Sequence, residues 1–177
     1  HFHCGTGGAS ALEYSSTCGG VNNIMSQLVR IFEGSGLPIR LHHDMERMMW
    51  GKLLTNLNNP VNALAGVPLL EELNDRHYRL CLSLIHSEAM RTLCAAGIKP
   101  MQRGKVPNSL VPFVLSLPNF LFVRAASSTL KEIDPRARSS MWEDLTKGRT
   151  TEVDFINGEL IKLGRRYGVL TPGNDRI

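Results

Sequence analysis

The sequence predicts a mainly α-helical protein, with an all-helical domain over residues 44–177 preceded by a short α/β segment over residues 1–43. Three observations carry this expectation. From Asp44 onward, apolar residues recur every three or four positions, in stretches bounded by the prolines, glycines and short polar residues that start and stop helices. Before Asp44, short alternating stretches flank glycine-rich turns around one amphipathic helix. Apolar residues make up 42% of the chain and charged residues 20%, which suits a globular protein with a core and excludes wholesale disorder.

The elements follow in order. HFHCGTGGASALEY alternates around a glycine-rich turn and reads as a β-hairpin, VNNIMSQLVRIFEGSG reads as a helix stopped by glycine, and LPIRLHH reads as a short strand. Asp44 can cap a helix running to about Leu64. Asp75 opens a long buried helix that Gly97 ends. Pro107 and Pro118 each stand where a helix begins, and Pro135 closes the second of these. Ser140 with Glu143, and Thr151 with Asp154, have the spacing of capping boxes before the last two long helical stretches. No internal repeat and no low-complexity linker interrupts this order.

Charge and cysteine usage narrow the function classes. The excess of 20 basic over 16 acidic residues is small and spread along the chain, which argues against a nucleic-acid partner. No apolar run reaches the roughly 18 residues of a membrane span and no signal peptide opens the chain, so the expected setting is cytoplasmic, without a membrane partner. Cys4, Cys18, Cys81 and Cys94 lack CxxC spacing and are expected to be reduced thiols. His1, His3 and Cys4 are crowded at one end of the chain and read better as part of an alternating strand than as a metal site; no metal is expected.

The stretch WGKLLTNLNNPVNALAG, residues 50–66, is unusual. On a helix of 100° per residue, Trp50, Leu53, Leu54, Leu57, Val61 and Leu64 form a broad apolar face, while Lys52, Asn56, Asn59 and Ala63 cluster opposite. Each asparagine costs roughly 0.6 kcal/mol relative to alanine, so four cost on the order of 2–3 kcal/mol, and an interior proline adds about 3 kcal/mol. Pro60 has no N–H to bond the carbonyl of Asn56, so the helix should kink there. A merely solvated face would use Glu, Lys, Gln or Arg. Amides around one lysine suit a pocket that grips hydroxyl, carbonyl and carboxylate groups. Both readings stand at this stage.

SSMWEDLTKGRTTEVDFINGE, residues 139–159, is the second unusual stretch. Caps and the helix dipole account for Ser140, Glu143 and Asp144. Glu152 stands at the start of the last long helix, where a helix-terminus charge and a catalytic carboxylate are both open readings. Asn157 and Gly158 interrupt that helix without helping it.

WGKLLTNLNN followed by NAL, then SSMWEDLTKGRTTEVDFINGE and GVLTPGN, closely resemble the ketopantoate reductase (2-dehydropantoate 2-reductase) family, and FHCGTGG resembles the end of that family's nucleotide-binding domain. The resemblance implies a Rossmann domain, of which residues 1–43 are the remnant, followed by a helical substrate-binding domain like the C-terminal domain of 6-phosphogluconate dehydrogenase. It implies NADPH as cofactor, a small 2-keto acid as substrate, Lys52 as general acid, and Asn56 and Asn59 as substrate-positioning groups. Ser140 would help bind the substrate carboxylate, and Glu152 would contact the substrate hydroxyl or order the lysine. Many members place the second asparagine eight residues after the lysine; here Asn59 follows Lys52 by seven, with Asn58 beside it.

The chemistry suits these residue types. Hydride delivery to a ketone carbon leaves charge on oxygen, which an ammonium can stabilise and then neutralise with a proton. A dinucleotide fingerprint needs GxGxxG between a strand and a helix; GTGGAS and GSGLPI lack the third glycine. The expected chain is therefore the catalytic part of an NADPH-dependent reductase, lacking most of the cofactor domain and inactive alone. Unpaired strand edges in residues 1–43 would admit a second copy, making a homodimer. A reductase of another 2-keto acid, or a non-catalytic helical binding or dimerisation module, are the alternatives.

Overall fold

The computed structural model describes residues 12–14, 23–32, 39–41 and 44–177. The chain divides into two compact units between Met49 and Trp50. In the first, strand β1 (Leu12–Tyr14), helix α1 (Asn23–Phe32) and strand β2 (Ile39–Leu41) follow one another. The two strands pair in parallel, with Leu12 opposite Ile39 and Tyr14 opposite Leu41. The first strand and turn of the expected hairpin lie outside the described residues, and the pairing of its second strand with β2 is not anticipated from the sequence. Alternation reports that a strand has two different faces but not which strand it pairs with, and a parallel partner needs a crossover, which α1 supplies. Residues 1–11, with the glycine-rich turn, HFHC and FHCGTGG, lie outside the described residues, as does Cys18.

Helix α2 (Met45–Asn56) crosses the division, and the second unit adds α3 (Asn58–Ala65), α4 (Leu69–Asn74), α5 (Arg76–Ala95), α6 (Val111–Ser116), α7 (Asn119–Glu132), α8 (Ser140–Thr146), α9 (Val153–Tyr167) and α10 (Pro172–Asp175). A 3-10 turn over Asn108–Leu110 leads into α6. None of the described helices is long and apolar enough to cross a membrane.

Several boundaries follow from local chemistry. The Asp44 carboxylate accepts from the Arg47 N–H at 3.1 Å, and the Asp75 carboxylate from the His77 N–H at 2.7 Å, each capping the helix it precedes. Gly97, at φ 72°, takes the left-handed turn that lets the Ile98 N–H reach back to the Leu93 carbonyl at 2.9 Å. Pro118 immediately precedes α7, which ends before Pro135.

The expected single helix from Asp44 to Leu64 is two helices. The ladder breaks at Leu57, where the missing Pro60 N–H leaves the Asn56 carbonyl without its helical donor. Pro60 is thus the third residue of α3 and occupies a first turn, whose N–H groups have no helical acceptor in any case. The interior-proline cost assumed from the sequence does not arise. Asn56 and Asn58 likewise fall at helix ends, where short polar side chains cost less. The break also changes the phase of the faces: Leu64 is 68% exposed, whereas Ala63 and Asn62 are buried.

Two caps differ from expectation. The N-cap of α8 is Ser139, not Ser140: the Ser139 Oγ accepts from the Trp142 N–H at 3.1 Å. The N-cap of α9 is Glu152, without a side-chain cap bond, so Thr151 and Asp154 form no capping box.

The core of this unit collects Leu54, Leu57 and Val61 from α2 and α3, Leu82, Ile85, Ala89 and Leu93 from α5, and Ile156 and Leu160 from α9. Leu82, Ile85, Ala89 and Leu93 recur at helical spacing, so α5 packs along its length against α3, α4, α6, α9 and α10. Fully buried Arg79 extends this stripe. Its guanidinium donates to the carbonyls of Leu73, Leu115 and Leu117 at 2.9–3.2 Å and to Asn119 Oδ1 at 2.8 Å, and lies 4.1 Å from the Phe122 ring centre. Carbonyls near the C-terminal ends of α4 and α6, with the ring face, take the place of a carboxylate partner. Cys81 and Cys94 on α5 are exposed free thiols.

Candidate functional site

Lys52 and Asn56 lie one turn apart on α2 and so share a face. Lys52 is exposed and Asn56 half-buried, while Leu54 and Leu57 are in the core. Gly51 explains how α2 is seated beside the lysine: a Cβ there would collide with the backbone carbonyl of Met101, so only glycine permits the approach. The Thr55 hydroxyl donates to the Lys52 carbonyl at 2.7 Å.

Beyond the break, a buried amide network fixes α3 against α8. Asn62 is fully buried; its Nδ2 donates to Glu72 Oε2 at 2.6 Å and to the Val67 carbonyl at 3.0 Å. Its Oδ1 accepts from the Ser139 N–H at 2.8 Å, and the Ser139 hydroxyl donates to the Asn59 carbonyl at 3.0 Å. Arg138 adds a bond to the Gly66 carbonyl and stacks its guanidinium 4.3 Å from the Trp142 ring centre. These contacts put Ser140, the exposed first residue of α8, one residue away from the bond to Asn59.

Glu72, also fully buried, is the electrostatic oddity of the network. Burial raises its pKa from 4.5 to about 7, partly offset by the amides of Asn62 and Asn58. Glu72 Oε1 and Asn58 Oδ1 are buried without a hydrogen-bond partner.

Glu152 is exposed at the start of α9, its carbonyl accepting from Phe155 and Ile156 at 3.0 and 3.1 Å. The preceding turn is tied by an Arg149–Asp144 ion pair of 2.8 Å. Lys52, Asn56 and Asn59 are thus gathered at one helix junction, with Ser140 linked to it through Ser139. No hydrogen bond or ion pair joins Glu152 to these four among the described residues.

Sequence reasoning missed Asn62, Glu72 and Ser139, which hold the junction together. The asparagine excess signalled Asn62, but nothing local marks Glu72 as buried. No group of three or more His, Cys, Asp or Glu side chains able to hold a metal occurs among the described residues.

The second unit is a helical domain that presents Lys52, Asn56 and Asn59 beside the α2–α3 break. The particular family is shown by the sequence: residues 44–177 match the family described as ketopantoate reductase PanE/ApbA C terminal, and the chain belongs to it. The 2-dehydropantoate 2-reductase of Pyrobaculum aerophilum is 30% identical over 154 residues, covering 86% of this chain and 48% of that protein. The chain therefore spans about half the length of the curated relatives it matches. In fold it is similar to a PanE/ApbA family ketopantoate reductase from Ralstonia eutropha, with a TM-score of 0.70 at 22% identity over 96% of this chain and 49% of that one. It is also similar to D-mandelate dehydrogenase in its ternary structure with NADH and anilino(oxo)acetate, with a TM-score of 0.68 at 22% identity over 96% and 64% of the two chains.

Proposed function

We propose that residues 44–177 are the substrate-binding and catalytic domain of an NADPH-dependent reductase that converts 2-dehydropantoate to pantoate in pantothenate biosynthesis. The observation that carries the proposal is the exposed Lys52, one turn from Asn56 at the α2–α3 break, in a chain of the ketopantoate reductase family. The described residues form no dinucleotide cradle of their own; among them the first unit comprises two three-residue strands, α1 and the start of α2. NADPH, held by a nucleotide-binding domain, would supply the hydride.

This chain's residues do the rest. The Lys52 ammonium faces the ketone oxygen, stabilises its developing charge and transfers a proton to it. Asn56 and Asn59 orient the keto acid through their amides, and Ser140 donates to its carboxylate. Glu152 meets the substrate hydroxyl or holds the lysine in place. The similarity to D-mandelate dehydrogenase favours a second reading, the same chemistry on a 2-keto acid with a different side chain.

The test is turnover of the full-length protein on a panel of 2-keto acids with NADPH and with NADH. Lys52→Ala should lower turnover roughly 10²–10⁴-fold with a melting temperature close to wild type, because the side chain lies outside the core. Lys52→Arg should rescue poorly, since guanidinium keeps its proton. Near-wild-type turnover of Lys52→Ala would remove the lysine from the mechanism, and no turnover of any keto acid by wild type would favour a binding module.

A further inference from the structure

Away from Lys52 and Asn56, the second unit contains a cavity of about 240 Å³ between α2, α5, α6 and α7. Its wall is mostly apolar, with Leu54, Leu73, Val114, Leu115, Phe122 and Ala126 contributing. A cavity of about 150 Å³ lined by such residues is large enough to bind benzene, so this one has room for a ligand of roughly ten heavy atoms.

Among the polar side chains that line it, Thr55, His86, Lys105, Asn108 and Thr129, the histidine gives the cavity its chemical character. His86 of α5 lines it and makes no hydrogen bond to any described residue. Burial lowers its pKa from 6.5 to about 4, so at neutral pH the ring is an uncharged imidazole with one donor and one acceptor nitrogen. His86 is half-buried and its ring nitrogens are unpaired, so a ligand in the cavity can gain a hydrogen bond by pairing with one of them. Lys105, at the cavity's edge, is occupied by Glu132 at 2.8 Å and offers no free charge for an anion. A charged ligand would lose its hydration here without compensation; a neutral hydroxyl or carbonyl would not.

We infer that this cavity is a binding site for a small, uncharged, mainly apolar molecule carrying one hydroxyl or carbonyl group, with His86 as the polar anchor. The site is separate from the proposed keto acid site, since Lys52, Asn56, Asn59, Ser140 and Glu152 are all absent from its lining.

Benzyl alcohol and ethylbenzene, matched in size and differing in the hydroxyl, are suitable probes. Titrated into the intact protein and followed by methyl and imidazole NMR, benzyl alcohol should saturate shifts of the cavity methyl groups and of the His86 ring. Relative to each compound's partitioning from water into hydrocarbon, which takes the hydroxyl's desolvation out of the comparison, the alcohol should be favoured by more than about 10-fold, since a hydrogen bond made in an apolar medium is much stronger than its net value in water. His86→Phe should remove that preference while still admitting ethylbenzene, and Ala126→Trp, which fills the cavity, should abolish binding of both. Absence of saturable shifts up to millimolar probe, or hydrocarbon binding with no hydroxyl preference in the wild type, would overturn the proposal. Both of those readings need no variant to fold.

Discussion

Glu72 and Glu88 are both fully buried in the helical unit, yet they are held in different ways. Glu88 of α5 receives three N–H bonds: from Gly173 at 2.8 Å, from the Asn174 backbone at 3.0 Å and from the Asn174 amide at 2.7 Å. Two of these come from the first turn of α10, so the carboxylate meets the positive end of that short helix. Asn174 is held in turn by Asn157 of α9 at 3.0 Å. Glu72 receives one bond that meets hydrogen-bond geometry, from Asn62, and one of its oxygens has none. Burial alone therefore does not fix the role of a carboxylate. Donors on both oxygens make Glu88 a tie between α5, α9 and α10, whereas too few donors leave Glu72 taking up a proton near neutral pH beside the candidate site.

The largest expected effect is on the Glu88 side. Glu88→Gln replaces an acceptor oxygen by an NH₂ that faces the donors of Gly173 or Asn174. At least one charge-assisted bond is lost and a donor is left buried, so the cost should be about 3 kcal/mol. Urea denaturation at neutral pH should show it, with fast amide exchange at Gly173 and Asn174. An unchanged midpoint would mean that the contrast with Glu72 is false.

Glu72→Gln should behave differently. The folded protein keeps the Glu72 proton up to about pH 7, while the unfolded chain loses it near 4.5. The folded state binds more protons in that window, so Glu72 makes stability fall as pH rises from about 4.5 to about 7. The difference corresponds to about 3 kcal/mol in full, and glutamine should recover part of it above pH 7 by remaining neutral. His86 acts with the opposite sign. Its folded pKa of about 4 lies below the usual 6.5, so its contribution is present above 6.5 and lost as pH falls toward 4. The two oppose each other between about 4.5 and 6.5. Glu72→Gln should therefore uncover a stability that climbs from pH 4 to 6.5 and then levels. Denaturation midpoints across this range measure it, and a profile identical to wild type would show that Glu72 does not titrate there.

These two regions also show what a sequence reveals. The starts and ends governed by Asp44, Asp75, Gly97 and Pro118 were legible because the interactions are local. The parallel pairing of Leu12–Tyr14 with Ile39–Leu41 was not, since alternation carries no partner information. Asparagine excess in residues 56–62 pointed to a polar junction, but the partner of Asn62 is ten residues away in one direction of the network and 77 in another. Asn157 likewise stood out as a helix-breaking residue whose reason, Asn174, is supplied by a separate element. Nothing in the local sequence marks Arg79, Glu72 and Glu88 as fully buried, because only tertiary packing buries them. At the candidate site, Lys52 and Asn56 were legible by helical spacing. The role assigned to Glu152 came from resemblance, and its side chain has no hydrogen-bonding partner among the described residues.

The smallest expected effect decides between adjacent serines on the Glu72 side. Both Ser139 and Ser140 satisfy the composition of an N-cap, and tertiary bonds choose Ser139. Its hydroxyl links the Trp142 N–H to the Asn59 carbonyl, so Ser139→Ala should cost about 1–2 kcal/mol of stability. Ser140 is exposed at the first position of α8, and Ser140→Ala should stay within about 0.5 kcal/mol of wild type. The kinetic order should reverse. If Ser140 donates to the substrate carboxylate in ground state and transition state alike, its loss raises KM several-fold with kcat nearly unchanged, while Ser139→Ala lowers the melting temperature before it alters KM. Melting curves of the full-length protein beside its KM and kcat on the proposed keto acid separate the two. Equal destabilisation by both variants would undo the cap assignment, and an unchanged KM in Ser140→Ala would take Ser140 out of the substrate site while leaving the α3–α8 tie intact.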